Sequence, residues 1–300
     1  MQKIEYDEFS MLHENAEEFG IPYAGPPVVE RVMTDLHDGR KLSSLVWGDA
    51  APELVFLHGG AQNAHTWDTV ALALERPALC IDLPSHGHSD EALEGAVNPV
   101  TNARDVATVV RALAPKARAV VGMSLGGMTA LALARHAKDL VRAAVLVDVT
   151  PGVDGEKSKA ISAFINGPET FPSFEELLAR TMEHNPTRSE SSLRRGILHN
   201  AVQQADGSWV WRYRRFGQSD RRGDFPRFGE LWDVISGLQV PLMLVRGMRE
   251  QSVVDDADET ELLRRCPSAR VEHVKEAGHS VQGDTPVELA QLLEDFVFGA

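Results

Sequence analysis

Short apolar segments alternate with amphipathic stretches along most of the chain. Each apolar segment predicts a buried or half-buried strand, and apolar positions three or four residues apart predict a helix. Strands are expected at residues 28–36, 41–48, 54–57, 78–83, 117–121, 143–149, 242–245 and 271–274. Helices are expected at residues 64–75, 101–113, 124–137, 257–266 and 286–296. The first two strands flank Asp38-Gly39 and are expected to pair antiparallel. The rest of the alternation predicts an α/β domain with a mainly parallel sheet covered by helices on both faces.

The alternation stops between residues 151 and 237, which predicts an insertion into the α/β domain. Helices are expected there at residues 174–183 and 190–203, and ten of the 19 aromatic residues fall in this segment. Aromatic side chains suit a pocket for an apolar or cyclic substrate, but they also suit a small core of the insertion itself. The expected organisation is an acidic N-terminal leader (residues 1–27), a core (28–150 and 238–300) and the insertion (151–237).

A serine stands between glycines where a predicted strand meets a predicted helix, in Gly122-Met123-Ser124-Leu125-Gly126-Gly127. Such a turn is typical of a nucleophile elbow, which is so tight that Gly122 and Gly126 must lack side chains. The helix that follows directs its N-terminal amides at any anion that forms beside Ser124. An ordinary glycine-rich turn with a surface serine is the alternative interpretation.

Two other loops lie where a serine nucleophile requires them. His58-Gly59-Gly60-Ala61 follows a buried strand, and the glycines allow the backbone to approach a bound carbonyl closely. The amides of Gly60 and Leu125 are therefore candidates for an oxyanion hole. His279, in Glu276-Ala277-Gly278-His279-Ser280, follows the last predicted strand and is the candidate general base. An ordinary loop histidine is the alternative.

Over residues 27–300 these motifs resemble the α/β-hydrolase superfamily. The resemblance implies an eight-stranded, mainly parallel sheet with helices on both faces, and it identifies residues 151–237 as a helical cap. Residues 82–89, Asp-Leu-Pro-Ser-His-Gly-His-Ser, resemble a loop of this family that shapes the pocket rim, with Ser85 where glycine is commoner. His86 and His88 are thus expected to be structural or rim residues, and no metal site is predicted.

The acid of the expected Ser-His-acid triad departs from the family pattern. The family usually has an aspartate three residues past the glycine that ends the seventh strand, and here Glu250 occupies that position. Asp148, at the end of the sixth strand, is the second candidate, since some members resembling this arrangement carry the acid there. Asp148 is preferred and Glu250 is kept as the alternative. Both satisfy the chain order serine, acid, histidine.

These residues predict a serine hydrolase that cleaves an ester or lactone of a small, largely apolar substrate through an acyl-enzyme. Hydrolysis of a C–C bond next to a ketone ranks lower, because that group typically has a longer glycine-rich loop than Gly60-Ala61-Gln62-Asn63. A non-catalytic binding protein of the same fold is a further alternative.

Trp211, Arg212 and Tyr213 are candidate substrate-binding residues, because aromatic and basic residues alternate around them as on a strand. Inward-facing arginines would bind an anionic substrate group. The preferred alternative pairs them with acidic residues of the core to dock the cap.

The net charge of −14 argues against a nucleic-acid or anionic-membrane partner, so the expected partner is a small-molecule ester. No cofactor is predicted, and the protein is expected to be a monomer or homodimer. Cys80 and Cys266 fall in a predicted strand and at a predicted helix end, where buried reduced thiols are expected. The acidic residues 1–20 have no signal-peptide pattern, which predicts a cytoplasmic location.

Overall fold

The computed structural model of the chain describes residues 4, 6–93, 98–214 and 228–299. Its main sheet has eight strands in the order β1-β2-β4-β3-β5-β6-β10-β11. The strands are β1 (Val29–Asp35), β2 (Lys41–Trp47), β3 (Leu54–Leu57), β4 (Ala78–Ile81), β5 (Ala119–Met123), β6 (Ala144–Val147), β10 (Leu242–Gly247) and β11 (Arg270–Val274). Strand β2 pairs antiparallel with β1 and β4, and the other pairs are parallel. The predicted eight-stranded, mainly parallel sheet is therefore confirmed.

Helices cover both faces of this sheet, as predicted. One face packs against α3 (Pro99–Leu113), α4 (Leu125–His136), α8 (Leu231–Ser236) and α9 (Asp256–Arg265). The other packs against α1 (Leu12–Glu18), α2 (Asp68–Leu74) and α11 (Pro286–Val297). Successive side chains of a strand point to opposite faces, so Val55 and Leu57 join the first layer while Leu54 and Phe56 join the second. The central strands, such as β3 and β4, are therefore continuous apolar runs.

Residues 151–237, expected to be mainly helical, contain both helices and strands. Within the described part they form α5 (Lys159–Ile165), α6 (Phe174–His184), α7 (Glu190–Asn200) and α8, but also a three-stranded antiparallel sheet. Its strands are β7 (Thr170–Phe171), β8 (Ala201–Gln203) and β9 (Trp209–Trp211). The helix expected at 190–203 is thus wrong at its end, because Ala201–Gln203 pairs with β9 instead. Pairing with a neighbour 6–10 residues away overrides a local helical pattern.

The N-terminal segment is part of the folded body. Leu12 and Ala16 of α1 are buried in the second core layer. Further contacts reach residues 151–237, because the Ile4 amide donates to Gln203 Oε1 and the Tyr6 hydroxyl bonds His199 Nδ1 at 2.8 Å. The described part of the acidic leader therefore joins the core to the insertion.

The two cysteines lie where the sequence predicts them. Cys80 in β4 and Cys266 at the end of α9 are free and buried, as predicted. A short helix, α10 (Val281–Asp284), precedes α11 and follows directly on the segment that carries His279. None of the helices in the described residues combines the length and apolar character needed to cross a membrane.

Candidate active site

Ser124 lies in the tight turn between β5 and α4 and has a positive φ of 50° with ψ −117°. Such a backbone is rare for a residue with a side chain and is found at strained functional turns. A Cβ on Gly122 would lie 2.3 Å from the Gly126 carbonyl oxygen, and one on Gly126 would lie 2.1 Å from the Leu57 carbonyl oxygen. The expectation that these two positions must lack side chains is confirmed.

The order of the parallel strands brings the three predicted chemical residues to one edge of the sheet. Ser124 follows β5, Asp148 follows β6, and β6 lies next to both β5 and β10. His279 lies five residues after the end of β11, which pairs with β10. Because the carboxyl ends of parallel strands meet at the same edge, residues far apart in sequence become neighbours.

Asp148 is fully buried and accepts hydrogen bonds from four groups. The donors are the Gly247 amide (2.9 Å), the Ser252 hydroxyl (2.6 Å), the Val253 amide (3.0 Å) and His279 Nδ1 (2.9 Å). The carboxylate accepts from Nδ1, so in the neutral imidazole this nitrogen holds the proton and Nε2 carries the lone pair. Nε2 is buried and has no hydrogen-bond partner among the described residues.

Glu250, the alternative acid, occupies a different place. Its side chain is exposed at the cavity, and His279 Nδ1 donates its hydrogen bond to Asp148 instead. The neighbouring Arg249 pairs with Glu276 at 2.6 Å instead of with Glu250. In this chain the turn after β10 contributes the groups that hold Asp148, namely Ser252 and the Val253 amide.

The two candidate oxyanion donors come from different loops. Leu125 is the first residue of α4, so its amide has no acceptor within the helix. Gly60 lines the same cavity as Ser124, and its amide has no acceptor among the described residues. The adjacent Gly59 amide is bound to Gln62 Oε1 at 3.1 Å. Gly60 and Leu125 thus retain amides that could stabilise a developing negative charge.

Two buried histidines support the Gly60 loop. His58 Nδ1 donates to the Gly59 carbonyl at 2.7 Å, and Nε2 accepts from the Leu83 amide at 2.9 Å. His86 Nδ1 donates to the Pro84 carbonyl, and Nε2 accepts from the Ala61 amide at 3.1 Å. Burial lowers the pKa of His58, and it lowers the pKa of His86 to about 3. Both rings are therefore neutral structural groups, as the sequence predicts for His86.

His88 and Ser85 complete this rim. The His88 side chain is partly exposed, and burial together with the Arg31 charge lowers its pKa to about 4. Its backbone amide donates to Asp82, whose carboxylate also accepts from the Ala64 amide at 2.7 Å. Ser85 has a φ of 66°, the left-handed conformation that explains why glycine is commoner there.

Ser124 and His279 line a common cavity of about 330 Å³. Its walls come from the sheet edge, the N-terminal segment and residues 151–237. Apolar side chains contributed by the insertion include Ile161, Phe164, Leu193, Ile197 and Trp211. Of the three predicted substrate-binding residues, Trp211 is therefore at the cavity.

Arg212 and Tyr213, both within the described residues, are not among the residues that line this cavity, so their expected contact with substrate stays a prediction. Tyr213 is buried against Ala61 and Ile165. Arg212 is half-buried, and burial lowers its pKa while Tyr6, Asp82 and Glu8 act against this effect. Strand β9 ends at Trp211, and the Tyr213 ring stacks on the Trp211 ring at 5.5 Å between centroids.

Arg214 agrees with the alternative in which cap arginines dock against the core. Its guanidinium donates to Glu91 at 2.9 Å, and its amide donates to the Ser85 carbonyl at 3.0 Å. Both side chains of this ion pair are exposed, so the pair contributes little free energy by itself.

One group of described residues has the composition of a metal site: His65, Asp68 and His199, whose candidate ligand atoms lie within 4.8 Å of one another. The two imidazole rings are stacked at 3.8 Å between centroids. His65 bonds Asp68 and Glu8 at 2.8 and 2.9 Å, and His199 bonds Tyr6. Although burial lowers it, the Asp68 and Glu8 carboxylates raise the pKa of His65 to about 9. The group is a charged hydrogen-bond network that joins the core, the N-terminal segment and α7.

Sequence reasoning missed several residues of the site. Ser252 fixes Asp148, while Gln282 donates to Thr66 Oγ1 at 3.2 Å and to Gln62 Oε1 at 3.5 Å beside the Gly59 loop. These residues lie in no motif, because a serine or glutamine in a loop has no periodic pattern that marks it. Ser252 follows Gly247 by five residues in the loop that carries Glu250, and this nearness is the one signal in the sequence that points to it.

Comparisons with known proteins show which family this chain belongs to. Residues 54–292 match the model of the alpha/beta hydrolase family. The esterase Rv0045c of Mycobacterium tuberculosis is 45% identical over 295 residues, covering 96% of this chain and 94% of that protein. A solved structure of that esterase has a TM-score of 0.84 and 44% identity, covering 96% of this chain and 98% of the other.

A more distant relative is the sn-1-specific diacylglycerol lipase ABHD11 of Mus musculus. It is 26% identical over 265 residues, which cover 85% of this chain and 84% of the lipase. The family model spans well over half of this chain, and the mycobacterial esterase matches nearly all of it. The chain therefore belongs to the alpha/beta hydrolase family.

Proposed function

We propose that this protein is a serine carboxylesterase that cleaves a small ester or lactone through an acyl-enzyme on Ser124. The observation that carries the proposal is the state of His279. Its Nδ1 bonds the buried Asp148, while Nε2 has no partner among the described residues and the side chain lines the cavity of Ser124. An imidazole held in this way is ready to accept the Ser124 proton. The esterase and lipase relatives support ester hydrolysis.

In the proposed reaction His279 Nε2 takes the proton of Ser124, and the serine oxygen attacks the ester carbonyl. The amides of Gly60 and Leu125 donate to the oxyanion, and the positive end of α4 adds to this stabilisation. His279 then protonates the leaving alcohol, and a water molecule repeats the sequence to release the acid. Asp148 holds the imidazole tautomer and stabilises the imidazolium that forms.

Asp148 is the proposed acid because it is both buried and held from several directions. Two backbone amides and the Ser252 hydroxyl fix its carboxylate, so its orientation costs no further side-chain entropy when the imidazolium forms. An exposed Glu250 carboxylate would be solvated and mobile. Glu250 is therefore proposed as a rim residue.

Residues 151–237 are proposed as the cap of this enzyme. Their apolar side chains Phe164 and Trp211 line the cavity that also contains Ser124, so they suit the hydrocarbon part of a substrate. Residues 215–227 of the predicted cap lie outside the described residues.

The two free, buried cysteines suit the cytoplasmic location predicted from the sequence.

Labelling with a fluorophosphonate tests the proposal directly, since this probe reacts with an activated serine. We expect stoichiometric labelling of the wild type, no labelling of Ser124→Ala, and labelling of Ser280→Ala at nearly the wild-type level. Ser280 also lines the cavity and so controls for accessibility. Hydrolysis of 4-nitrophenyl esters of graded acyl length, with lactones and a vinylogous diketone alongside, identifies the bond that is cleaved. A wild-type protein that is neither labelled nor active on any ester would contradict the proposal.

A further inference from the structure

Arg195 in α7 and Arg188 just before α7 both line the cavity, but they differ in whether acidic side chains pair with them. Arg195, within α7, is buried and lies among acidic partners from the N-terminal segment. Its guanidinium donates to Asn15 at 2.7 Å, to Glu14 at 3.4 Å and to Glu18. Arg188, just before α7, has no ion-pair partner among the described residues.

The Arg188 side chain is held in place without being neutralised. One terminal nitrogen donates to the hydroxyl of Ser192, while Nε is buried and has no partner among the described residues. Burial lowers the pKa of Arg188, but an arginine stays protonated at neutral pH. A desolvated guanidinium without a counter-charge is costly, and this cost is offset when an anion binds.

The nearest carboxylates are already engaged by other donors. Asp284 accepts from the Thr187 hydroxyl at 3.0 Å and from the Gly278 amide at 2.9 Å. Glu18 accepts from Ser189 and Arg195 with its two oxygens. These two groups act on Arg188 only at longer range, and Arg195 opposes them with a like charge. The described chain therefore leaves the guanidinium open towards the cavity.

Arg188 also lies close to the catalytic segment. A Cβ on Gly283 would be 2.0 Å from Arg188 Nη1, so the missing side chain of Gly283 makes room for the guanidinium. Gly283 belongs to α10 and stands four residues after His279. His279 and Arg188 line the same cavity, so the cation and the general base face a common space.

We propose that Arg188 binds a carboxylate of the substrate, and that the preferred esters carry this carboxylate a few bonds from the scissile carbonyl. Arginine is suited to this role because its planar fork binds a carboxylate bidentately. The apolar residues of the cavity contact the hydrocarbon between the two groups. This inference rests on the proposed esterase function and adds the substrate class to it.

Two pairs of esters test the inference on the wild-type enzyme. In the first, the 4-nitrophenyl monoester of adipic acid is compared with the same ester ending in a carboxamide. In the second, the carboxylate is on the leaving group: 3-carboxyphenyl butanoate is compared with 3-carbamoylphenyl butanoate. We expect a higher kcat/KM for the carboxylate member of at least one pair. Adipate should also inhibit hydrolysis of the neutral ester competitively and more strongly than adipamide.

Arg188→Gln is then expected to reduce the preference for the carboxylate ester by about ten- to hundredfold, chiefly through KM, because charge-assisted hydrogen bonds are lost. Arg188→Lys should keep part of the preference, since it keeps the charge without the fork. Arg194→Gln is the matched control, because Arg194 is exposed on α7 and lies over Phe174 outside the cavity.

The outcomes separate this inference from the esterase proposal. If no pair shows a carboxylate preference, or if the preference survives in Arg188→Gln, the inference is wrong while Ser124-dependent hydrolysis of the neutral esters stands. If the wild type hydrolyses neither member and is not labelled by a fluorophosphonate, the esterase proposal itself fails. Thermal denaturation shows whether Arg188→Gln is folded. If it is not folded, two other measurements decide the question. They are the comparison of adipate with adipamide as inhibitors of the wild type, and the substrate preference of Arg188→Lys.

Discussion

The cavity has two walls that position their functional groups by different means. The sheet wall carries Ser124, Asp148 and His279 on turns that follow β5, β6 and β11. The insertion wall carries Arg188, Arg195 and Trp211 from residues 151–237. On the sheet wall, backbone amides and close glycine packing fix the side chains, as for Asp148 and Gly126. On the insertion wall, Arg195 is fixed by ion pairs with Glu14 and Glu18 of the N-terminal segment.

This difference suits the sheet wall to the chemical reaction and the insertion wall to the choice of substrate. Reacting atoms require placement within a fraction of an ångström, which backbone geometry in a close-packed core provides. A charged binding group needs a suitable field and a fitting surface, which long side chains from a separate segment provide. Changes in the sheet wall should therefore abolish turnover or folding, and changes in the insertion wall should shift preference among substrates.

The largest expected effect is the loss of the nucleophile. Ser124→Ala removes only the hydroxyl, and we expect ester hydrolysis to fall by several orders of magnitude while residual catalysis from the oxyanion hole remains. Steady-state kinetics on a 4-nitrophenyl ester measure the loss, and circular dichroism checks the fold. Retention of more than about a tenth of wild-type activity would exclude Ser124 as the nucleophile.

The next effect distinguishes the two acids. Asp148→Asn should lower turnover by about 10⁴-fold, because the amide favours the wrong imidazole tautomer. Glu250→Gln should be nearly silent, since Glu250 is exposed at the rim. The reverse pattern in kcat would assign the role to Glu250, and equal, small effects would assign it to neither.

Glycine substitutions compare the packing of the two walls. Gly126→Ala places a Cβ 2.1 Å from the Leu57 carbonyl oxygen and should destabilise the protein by about 2–3 kcal/mol. Gly196→Ala, in the exposed middle of α7, has nothing within 4 Å of its Cβ and should stabilise by about 0.5–1 kcal/mol. Urea denaturation gives both values. Equal changes in the free energy of unfolding for the two variants would contradict the proposed difference in packing between the two walls.

The smallest predicted effect is on the pH dependence of stability, to which two histidines contribute with opposite sign. The pKa of His65 is raised to about 9. Its contribution to the free energy of unfolding is therefore complete below about pH 6.5 and is lost as pH rises towards 9. His86 has its pKa lowered to about 3, so its contribution is present above about pH 6.5 and is lost as pH falls towards 3.

Thermal melts across this pH range test the two histidines separately. His65→Asn should flatten the alkaline side of the Tm profile, and His86→Asn should flatten the acid side, by roughly 2–6 °C each. His65 is faced by Glu8, Asp68, Arg31 and His199, and His86 is faced by Asp82 and His58. The change in Tm therefore reports the titration of each whole group of residues and not of one histidine alone. An unchanged profile in His65→Asn would contradict a charged junction between core and insertion.

Much of the fold could be predicted from local patterns. The eight strands and the helices of the core lie within a few residues of their predicted positions, because a parallel sheet buried on both faces requires continuous apolar runs. The alternation around Trp211 indicated an extended segment, but the small sheet that this segment joins could not be predicted in this way. Its strands are two or three residues long, and at that length pairing with a neighbour decides the conformation.

The sequence by itself determined the elements whose signals are local: the elbow around Ser124, the His58-Gly59-Gly60 turn and a histidine after the last strand. Each depends on backbone geometry that only certain residues allow, so the residue types reveal it. The tertiary structure alone decided between Asp148 and Glu250 as the partner of His279, and it placed Arg188 but not Arg212 at the cavity, with no ion-pair partner for Arg188 among the described residues. These facts depend on contacts between segments distant in the chain, and no short pattern of residues encodes which distant carboxylate reaches which cation.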